Sequence, residues 1–207
     1  MVRHGFSVAN SEKRFAGHSD FELTALGKAQ AEKCAESLKN EKIDAIYASD
    51  LKRAFDTAIP VAKAHGLPII PHRGLREICA GEWEGRLFDE IEDKYRDSYS
   101  VWKNDIGRAY PEGGERVSEL YDRVLSTLRE IAEANGGKTV CIATHATPIR
   151  AVRAAAEGFE SCDMARVKWV SNASISIFDF DGKNFMPVVI DKCDHLGEMT
   201  TNLPPNV

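Results

Sequence analysis

The sequence predicts an α/β protein in which helices pack against a mostly parallel sheet. Two observations carry this prediction: short apolar runs typical of strands alternate with amphipathic helical segments, and a hairpin pattern follows near the carboxyl end. The 207 residues, 43% of them hydrophobic, suffice for one sizeable core. No stretch rich in Pro, Gly or Ser divides the chain, so we expect a single domain over residues 1–207.

The first half of the chain contains two helix patterns and two strand patterns. A helix capped by Thr24 is predicted for LTALGKAQAEKCAESLKNEK. Its apolar face is expected to contain Leu26, Ala29, Cys34 and Leu38. A second helix is predicted from about Asp50 to Gly66, and the segments on either side of it are predicted to be short strands, IDAIYAS and LPIIP.

Residues 79–115 interrupt the alternation with a polar, aromatic segment that glycines punctuate. One or two helices are predicted between residues 87 and 104. We therefore expect residues 79–115 to form an insertion of helices and loops that lies over a surface of the protein.

The second half contains the strongest helix pattern and the hairpin. Apolar residues at steps of three and four predict a long amphipathic helix that ends at Gly136 and Gly137. Its apolar face is expected to contain Val117, Leu120, Val124, Leu128 and Ile131. After it we predict a strand at KTVCIAT, a helix at PIRAVRAAAEG and a hairpin that turns at Asp181 and Gly182.

The charge balance and the apolar runs argue against several classes of partner. Lys and Arg number 27 while Asp and Glu number 32, a formal net charge of -5, which argues against a nucleic-acid-binding surface. No apolar run approaches the roughly 20 residues that span a bilayer, and no signal-peptide pattern precedes the fold. We expect a cytoplasmic protein without membrane contacts.

The cysteines and most histidines lack the patterns of a disulfide framework or a metal site. The five cysteines form no CxxC pair, and we expect them to be mostly buried, reduced thiols. Four histidines show no metal-ligand spacing and are expected mainly at the surface: His18, His65, His72 and His195. Of these, His18 is expected at the rim of a pocket. No metal ion or organic cofactor is expected.

Four polar motifs fall at the carboxyl ends of predicted strands. They are RHG at 3–5, ASDLKRA at 48–54, LREICAGEWEG at 75–85 and ATHATPIR at 143–150. Because the ends of parallel strands meet at one edge of a sheet, we expect their side chains to converge. Arginines bind phosphate oxygens in pairs and an imidazole nitrogen can attack phosphorus, so these motifs predict phosphoryl transfer that needs no metal ion.

Six sequence blocks together resemble the histidine phosphatase superfamily, which includes cofactor-dependent phosphoglycerate mutases and related broad-specificity phosphatases. The blocks run in the same order over nearly the whole chain: VRHGFSVAN, LTALGKAQA, YASDLKRAFDTA, LREICAGEWEG, PEGGERVSELYDRV and ATHATPIRAV. The resemblance implies a three-layer α/β/α sandwich of the phosphoglycerate mutase type, with helices on both faces of the sheet. It also implies that residues 79–115 lie over the active site.

The resemblance implies roles for five residues in particular. His4 matches the nucleophile that becomes phosphohistidine. Arg3 and Arg53 match the arginines that clamp the phosphate. His145 matches the second histidine, which stabilises the transferring group, and Asn10 matches a pocket residue that contacts phosphate.

Further residues follow from the same comparison of motifs. Glu77, in LRE, matches the acid that protonates the leaving group and then serves as base for the attacking water. Ala146 stands beside the phosphate where relatives commonly have glycine, and its methyl group is tolerated only if the backbone there is not left-handed. Phe6 and Ser7 stand where Glu or Gln and then Thr are usual. Specificity is therefore assigned to Phe6, Ser7, Gly17 and His18.

The segment before the Arg-His-Gly triplet consists of Met1 and Val2, whereas relatives have several apolar residues that form a central strand. Two explanations are open. Either this strand is unusually short, or the gene start was assigned inside the true reading frame. The second would leave unpaired backbone groups on both neighbouring strands.

The choice of reaction rests on two acidic segments. The stretch after Glu77 resembles the phosphatase branch, and DKCDHLGE resembles the ending of small phosphatases. Hydrolysis of a small phosphorylated metabolite, with inorganic phosphate as product, is therefore favoured over mutase action. A cofactor-dependent phosphoglycerate mutase and a catalytically weak phospho-ligand-binding module are the alternatives. A homodimer is compatible with the sequence, which specifies no interface.

Overall fold

Helices on both faces of one sheet form the framework of the protein. The computed structural model describes residues 1–201. The strands are β1 (Val2–Arg3), β2 (Ala45–Ala48), β3 (Ile69–Pro71), β4 (Val140–Thr144), β5 (Ile175–Phe180) and β6 (Phe185–Lys192). The helices are α1 (Val8–Ser11), α2 (Ala25–Leu38), α3 (Lys52–His65), α4 (Phe88–Lys94), α5 (Arg96–Asn104), α6 (Val117–Ala134) and α7 (Ala146–Ala156).

The strands of residues 1–201 form a six-stranded sheet in the order β3-β2-β4-β1-β5-β6. The first four strands along the chain pair in parallel, whereas β5 is antiparallel to both β1 and β6. The predicted α/β class, with a mostly parallel sheet and a hairpin near the carboxyl end, is confirmed.

Alternate side chains of the central strands pack into two separate cores. On β2, Ile46 and Ala48 lie in the core formed with α2 and α3, whereas Tyr47 packs against the core formed with α6 and α7. On β4, Cys141 lies in the first of these cores and Ile142 in the second. Because successive strand residues point to opposite faces of a sheet, helices cover both faces, and the three-layer prediction is confirmed.

Two predicted helix ends coincide with capping residues. Thr24 Oγ1 accepts a hydrogen bond from the Gly27 amide at 3.1 Å and so caps α2. Gly66 ends α3 in the left-handed conformation, with a φ of 64°. The predicted apolar face of α6 is buried throughout, α4 and α5 lie within residues 87–104, and β5 and β6 form the predicted hairpin.

The predicted apolar face of α2 is wrong in its first half. Leu26 and Ala29 are exposed, and the helix instead presents Gly27 and Gln30 to the protein. Gln30 Oε1 accepts a hydrogen bond from the Phe6 amide at 2.7 Å, and a Cβ atom on Gly27 would lie 2.2 Å from the Phe6 oxygen. Part of this contact face is a glycine and an amide side chain, which apolar spacing does not detect.

Strand β1 comprises two residues, although it lies inside the sheet between β4 and β5. Val2 stands beside Ala143 on β4 and Ile175 on β5. The amino group of Met1 donates a hydrogen bond to the Ser176 oxygen at 2.6 Å. Beyond Met1, a cavity of about 860 Å³, which we name the β4–β5 slot, is lined by the start of β4, by β5 and by neighbouring helix residues. Both neighbouring strands therefore extend past the start of β1.

The prediction that the cysteines are mostly buried is wrong. All five thiols are free, but only Cys34 and Cys141, on α2 and β4, are fully buried. The other three lie outside the strands and α-helices, where Cys79 and Cys193 are half-buried and Cys162 is exposed.

Candidate active site

Three residues that follow parallel strands meet at one edge of the sheet. His4 follows β1, Ser49 follows β2 and His145 follows β4. Beside them lies a pocket of about 50 Å³, which has room for roughly three or four water-sized groups and so suits a phosphate. Its lining includes seven of the residues singled out in the sequence: Arg3, His4, Asn10, Gly17, Arg53, Glu77 and Ala146.

The His4 ring is held with one nitrogen committed to the backbone. Its Nδ1 atom lies 2.8 Å from the Gly5 carbonyl oxygen. Because a carbonyl only accepts hydrogen bonds, Nδ1 carries the ring proton and Nε2 keeps a free electron pair. Burial, followed by the charges of Arg53 and Arg3, lowers the pKa of His4 well below the usual value. The neutral ring is the form that a nucleophile requires.

The glycine of the Arg-His-Gly triplet has a separate structural reason. A Cβ atom at Gly5 would lie 2.4 Å from the Gly27 carbonyl oxygen at the start of α2. The Gly5 amide also donates a hydrogen bond to Thr57 Oγ1 on α3, at 3.0 Å. Close contact between the backbones of Gly5 and Gly27 thus fixes the chain directly after His4.

His145 packs against His4 without lining the pocket. The two rings meet edge to face with their centroids 5.2 Å apart. His145 Nε2 lies 2.8 Å from Ser49 Oγ, while Nδ1 is buried and has no partner within residues 1–201. Burial, and then the charge of Arg53, lowers the pKa of His145 well below the usual value. The second imidazole is therefore also neutral, with one ring nitrogen uncommitted.

Arg3 and Arg53 place two buried positive charges at the pocket. Both side chains are almost completely buried, and neither forms an ion pair within residues 1–201. The Nε atoms of both lack a partner in the described part of the chain. Burial lowers the pKa of each to about 10, so both remain cationic at neutral pH. Buried cations without counterions favour the binding of an anion.

The amino end of α7 adds backbone polarity to the same place. Ala146 is the first residue of this 11-residue helix and lines the pocket. Its backbone is right-handed helical, so the condition for a methyl group at this position is met. The positive end of the α7 dipole favours an anion in the pocket.

Glu77 lies in the pocket wall, next to the start of α7. Its Oε1 atom accepts a hydrogen bond from the Ile78 amide at 2.8 Å, and Oε2 accepts one from the Thr147 amide at 3.3 Å. The carboxyl group is thus held beside the pocket by backbone donors from two segments. It can exchange a proton with a ligand bound beside it.

Asn10 is oriented by two neighbours. Its Oδ1 atom accepts hydrogen bonds from the Ser7 amide and from Asn172 Nδ2, at 3.1 and 3.2 Å. Asn172 also donates to the His4 carbonyl oxygen at 3.0 Å. Since the carboxamide oxygen is occupied, the amide nitrogen of Asn10 remains for a ligand. Asn172 was not predicted, because one buried asparagine in a loop carries no sequence signal.

The specificity assignment of Phe6 and Ser7 is not supported by their positions. Neither residue lines the pocket. Ser7 is buried and caps α1, where its Oγ atom accepts a hydrogen bond from the Asn10 amide at 3.3 Å. Phe6 is tied through its backbone to Gln30. Both residues therefore shape the loop after β1 and do not contact the pocket.

Of the other two residues assigned to specificity, Gly17 lines the pocket and His18 does not. Gly17 lines the pocket with a φ of 47°. The His18 side chain lies just outside the lining, where its Nε2 atom is 2.9 Å from the Glu77 carbonyl oxygen. The expected position of His18 at the pocket rim agrees with this contact.

An aromatic wall completes the pocket, and the sequence motifs did not reveal its members. They are Phe15, Phe88, Trp102 and Trp169. The rings of Phe15 and Trp102 meet edge to face with centroids 5.0 Å apart. Phe88 and Trp102 belong to residues 79–115, whose aromatic content was the only signal available.

Two kinds of feature are absent from the described residues. Within residues 1–201, no group of three or more His, Cys, Asp and Glu side chains is arranged to hold a metal ion. No helix in this range combines the length and hydrophobicity needed to cross a bilayer.

An α/β sandwich whose strand ends carry paired neutral imidazoles and unpaired arginines belongs to the class of phosphate-handling proteins. The model of the histidine phosphatase superfamily (branch 1) matches residues 1–191, and the chain belongs to this superfamily.

Relatives within the superfamily include both phosphatases and mutase-like proteins. The chain is 32% identical to phosphoserine phosphatase 1 of Hydrogenobacter thermophilus, over 96% of this chain and 93% of the relative. It is 35% identical to phosphoglycerate mutase-like protein 4 of Arabidopsis thaliana, over 96% and 86%. The solved structure of Bacillus stearothermophilus YhfR superposes with a TM-score of 0.90 at 29% identity, covering 94% of this chain and 96% of that one.

Proposed function

We propose that this protein is a metal-independent phosphatase that hydrolyses small phosphate monoesters through a phosphohistidine on His4. One observation carries the proposal. His4, which is neutral and has a free electron pair on Nε2, lines the same pocket as two buried arginines that form no ion pair within residues 1–201. This combination supplies both a nucleophile for phosphorus and charge for the phosphate oxygens.

In the first step, His4 Nε2 attacks phosphorus and the phosphorus–oxygen bond to the alcohol breaks. The Glu77 carboxyl group donates a proton to the departing oxygen. Arg3, Arg53 and the amino end of α7 hold the charge of the transferring group. His145, whose ring packs edge to face against His4, is assigned to stabilise the same group.

In the second step, a water molecule attacks the phosphohistidine. Glu77 takes up the proton of this water, the nitrogen–phosphorus bond breaks and inorganic phosphate leaves. The neutral His4 is restored, and Glu77 is again protonated for the next turnover.

Hydrolysis is favoured over mutase action by two observations. A relative that the chain matches over nearly its full length is named a phosphoserine phosphatase. The wall contributed by residues 79–115 is aromatic at Phe88 and Trp102. The other arginine that lines the pocket, Arg14, forms an ion pair with Glu12 at 2.6 Å. The mutase-like relative keeps transfer between two hydroxyls of phosphoglycerate as the competing reaction to be tested.

The purified protein is assayed with p-nitrophenyl phosphate, phosphoserine and 3-phosphoglycerate, beside the variant His4→Ala. His65→Ala is the matched control, since His65 lies at the opposite end of α3 from Arg53. We expect the control to retain activity and His4→Ala to lose at least about 10³-fold, because the nucleophile is gone. Quenched reactions should contain an acid-labile phosphohistidine in the wild type only.

Four outcomes would contradict the proposal in different ways. Full activity of His4→Ala removes the nucleophile assignment. Loss of activity with a chelator indicates a metal-dependent phosphatase. Movement of phosphate between the hydroxyls of phosphoglycerate identifies a mutase. Stabilisation by phosphate without hydrolysis of any monoester identifies a binding module.

A further inference from the structure

Glu84 fastens the loop at residues 17–19 to the turn that follows Glu77. Its Oε1 atom accepts hydrogen bonds from the amides of His18 and Ala80, at 2.8 and 2.9 Å. Its Oε2 atom accepts bonds from the amide and the hydroxyl of Ser19, at 2.7 and 2.8 Å. An ionised carboxylate accepts at both oxygens and donates at neither, so it matches these four donors.

The same loop holds the guanidinium group of Arg53. The Gly17 carbonyl oxygen accepts a bond from Nη2 at 2.8 Å, and the Ser19 carbonyl oxygen accepts one from Nη1 at 3.0 Å. A Cβ atom on Gly17 would lie 2.3 Å from Glu84 Oε1, so the glycine permits the carboxylate to approach. Glu84 therefore binds Ser19, which also holds Arg53, and it binds the His18 amide, which belongs to the same peptide group as the Gly17 carbonyl.

We propose that Glu84 is a positioning residue for phosphate binding: it fixes the carbonyl groups of Gly17 and Ser19, which in turn direct Arg53 into the pocket. The inference rests on the proposed function, in which Arg53 binds the phosphate group of the substrate. Displacing a binding group by about 1 Å can cost on the order of 10²-fold in rate. Glu84 does not line the pocket, so the lining residues alone would not reveal a role for it in phosphate binding.

The competing explanation is that Glu84 only stabilises the fold. Loss of four hydrogen bonds would then lower the melting temperature without changing the affinity for phosphate. The two explanations differ in how Glu84 and Arg53 combine. If Glu84 acts through Arg53, its replacement costs little once Arg53 is absent, whereas independent effects multiply.

The experiment measures the dissociation constants of inorganic phosphate and orthovanadate, together with kcat/KM for p-nitrophenyl phosphate. The variants are Glu84→Gln, Arg53→Ala and the double variant. A glutamine side chain has only one oxygen acceptor, and its NH₂ group would face N–H or O–H donors that now bind the second carboxylate oxygen of Glu84. We expect Glu84→Gln to weaken phosphate binding at least about 10-fold in the Arg53 background and less than about 2-fold in the Arg53→Ala background.

Glu82→Gln is the matched control. It removes the same charge two residues away, but the Glu82 side chain is exposed and bonds to Tyr95. We expect its phosphate affinity to stay within about 2-fold of the wild type. If Glu84→Gln does not fold, Ser19→Ala removes only the hydroxyl bond to Glu84, and we expect an effect of about 3-fold that disappears in Arg53→Ala.

The outcomes separate this inference from the proposed function. Equal phosphate affinity of Glu84→Gln and Glu82→Gln, or equal effects of Glu84→Gln with and without Arg53, overturns the positioning role alone. A wild-type protein that neither binds phosphate nor hydrolyses a monoester overturns the proposed function, and the inference with it.

Discussion

The imidazole rings of His4 and His145 lie edge to face, with centroids 5.2 Å apart and an interplanar angle of 61°. Both rings are buried beside the charges of Arg3 and Arg53, and the pKa of each is lowered for that reason. A further positive charge in this group is unfavourable until an anion enters. The site is therefore prepared with neutral imidazoles and cationic guanidinium groups.

This arrangement predicts that acid destabilises the protein. The folded His4 and His145 bind fewer protons than they do in the unfolded chain, where the histidine pKa is about 6.5. Stability is therefore highest above pH 6.5 and is lost as the pH falls below it. By pH 5 the loss is at most about 2 kcal/mol for each imidazole, since 1.5 pH units correspond to that energy.

The measurement is the free energy of urea unfolding between pH 7.5 and 5. We expect His4→Gln to show a shallower decline with pH than the wild type, whereas His65→Gln should follow the wild type. Saturating phosphate should also flatten the decline, because a bound anion favours protonated imidazoles. Identical slopes for wild type and His4→Gln would show that the folded His4 titrates normally.

Ser7 provides a test of the loop after β1. Ser7→Ala removes the cap of α1 and one orienting contact of Asn10, so we expect a loss of about 0.5–2 kcal/mol in unfolding free energy. Because Ser7 does not line the pocket, kcat/KM should fall by a similar factor for every substrate in a panel. Ser11→Ala, on the exposed end of α1, is the control. A changed order of substrates would return Ser7 to the specificity residues.

The sequence could predict the residues that follow regular strands. His4, Arg53 and His145 sit in motifs directly after strands or at a helix start, and a parallel sheet brings such positions together. The apolar period of α6 was equally informative, because that helix packs mainly through aliphatic side chains.

Other features depend on contacts between distant segments. Gly27 and Gln30 face the protein because the backbone at Phe6 approaches them, and Asn172 lies 162 residues from Asn10. Phe88 and Trp102 line the pocket together with Phe15 and Trp169, which come from distant parts of the chain. Such positions are set by the approach of two chain segments, which no local pattern records.

Phe88 is predicted to affect the choice of alcohol and not the binding of phosphate. Phe88 is half-buried in the aromatic wall. It takes no part in the hydrogen bonds that hold Arg3 and Arg53, whose acceptors are backbone carbonyl groups of other residues. We expect Phe88→Ala to change the ratio of kcat/KM for p-nitrophenyl phosphate and phosphoserine by about 10-fold, through lost apolar contact.

Inorganic phosphate should bind Phe88→Ala within about 2-fold of the wild type, because the cationic groups are unchanged. Val101→Ala, on the exposed face of α5, is the control in the same segment. An unchanged substrate ratio, or a loss of phosphate affinity equal to the loss of kcat/KM, would place Phe88 outside the specificity surface.

The β4–β5 slot predicts that an added strand segment stabilises the protein. Val2 pairs with Ala143, so the two positions before Met1 would stand beside Cys141 and Val140. Extending the amino end with Val-Thr-Val would supply backbone partners to both neighbouring strands and would move the Met1 amino group, whose pKa burial lowers, out of the sheet.

We expect this extension to raise the unfolding free energy by about 2 kcal/mol, which corresponds to a rise in melting temperature of roughly 4–8 °C for a domain of this size. Gly-Asp-Gly is the control, because it displaces the same amino group but favours a strand far less. Amide hydrogen exchange should slow in β5 only with Val-Thr-Val. Equal stabilisation by both extensions would assign the effect to the displaced charge and leave the slot without a preference for a strand.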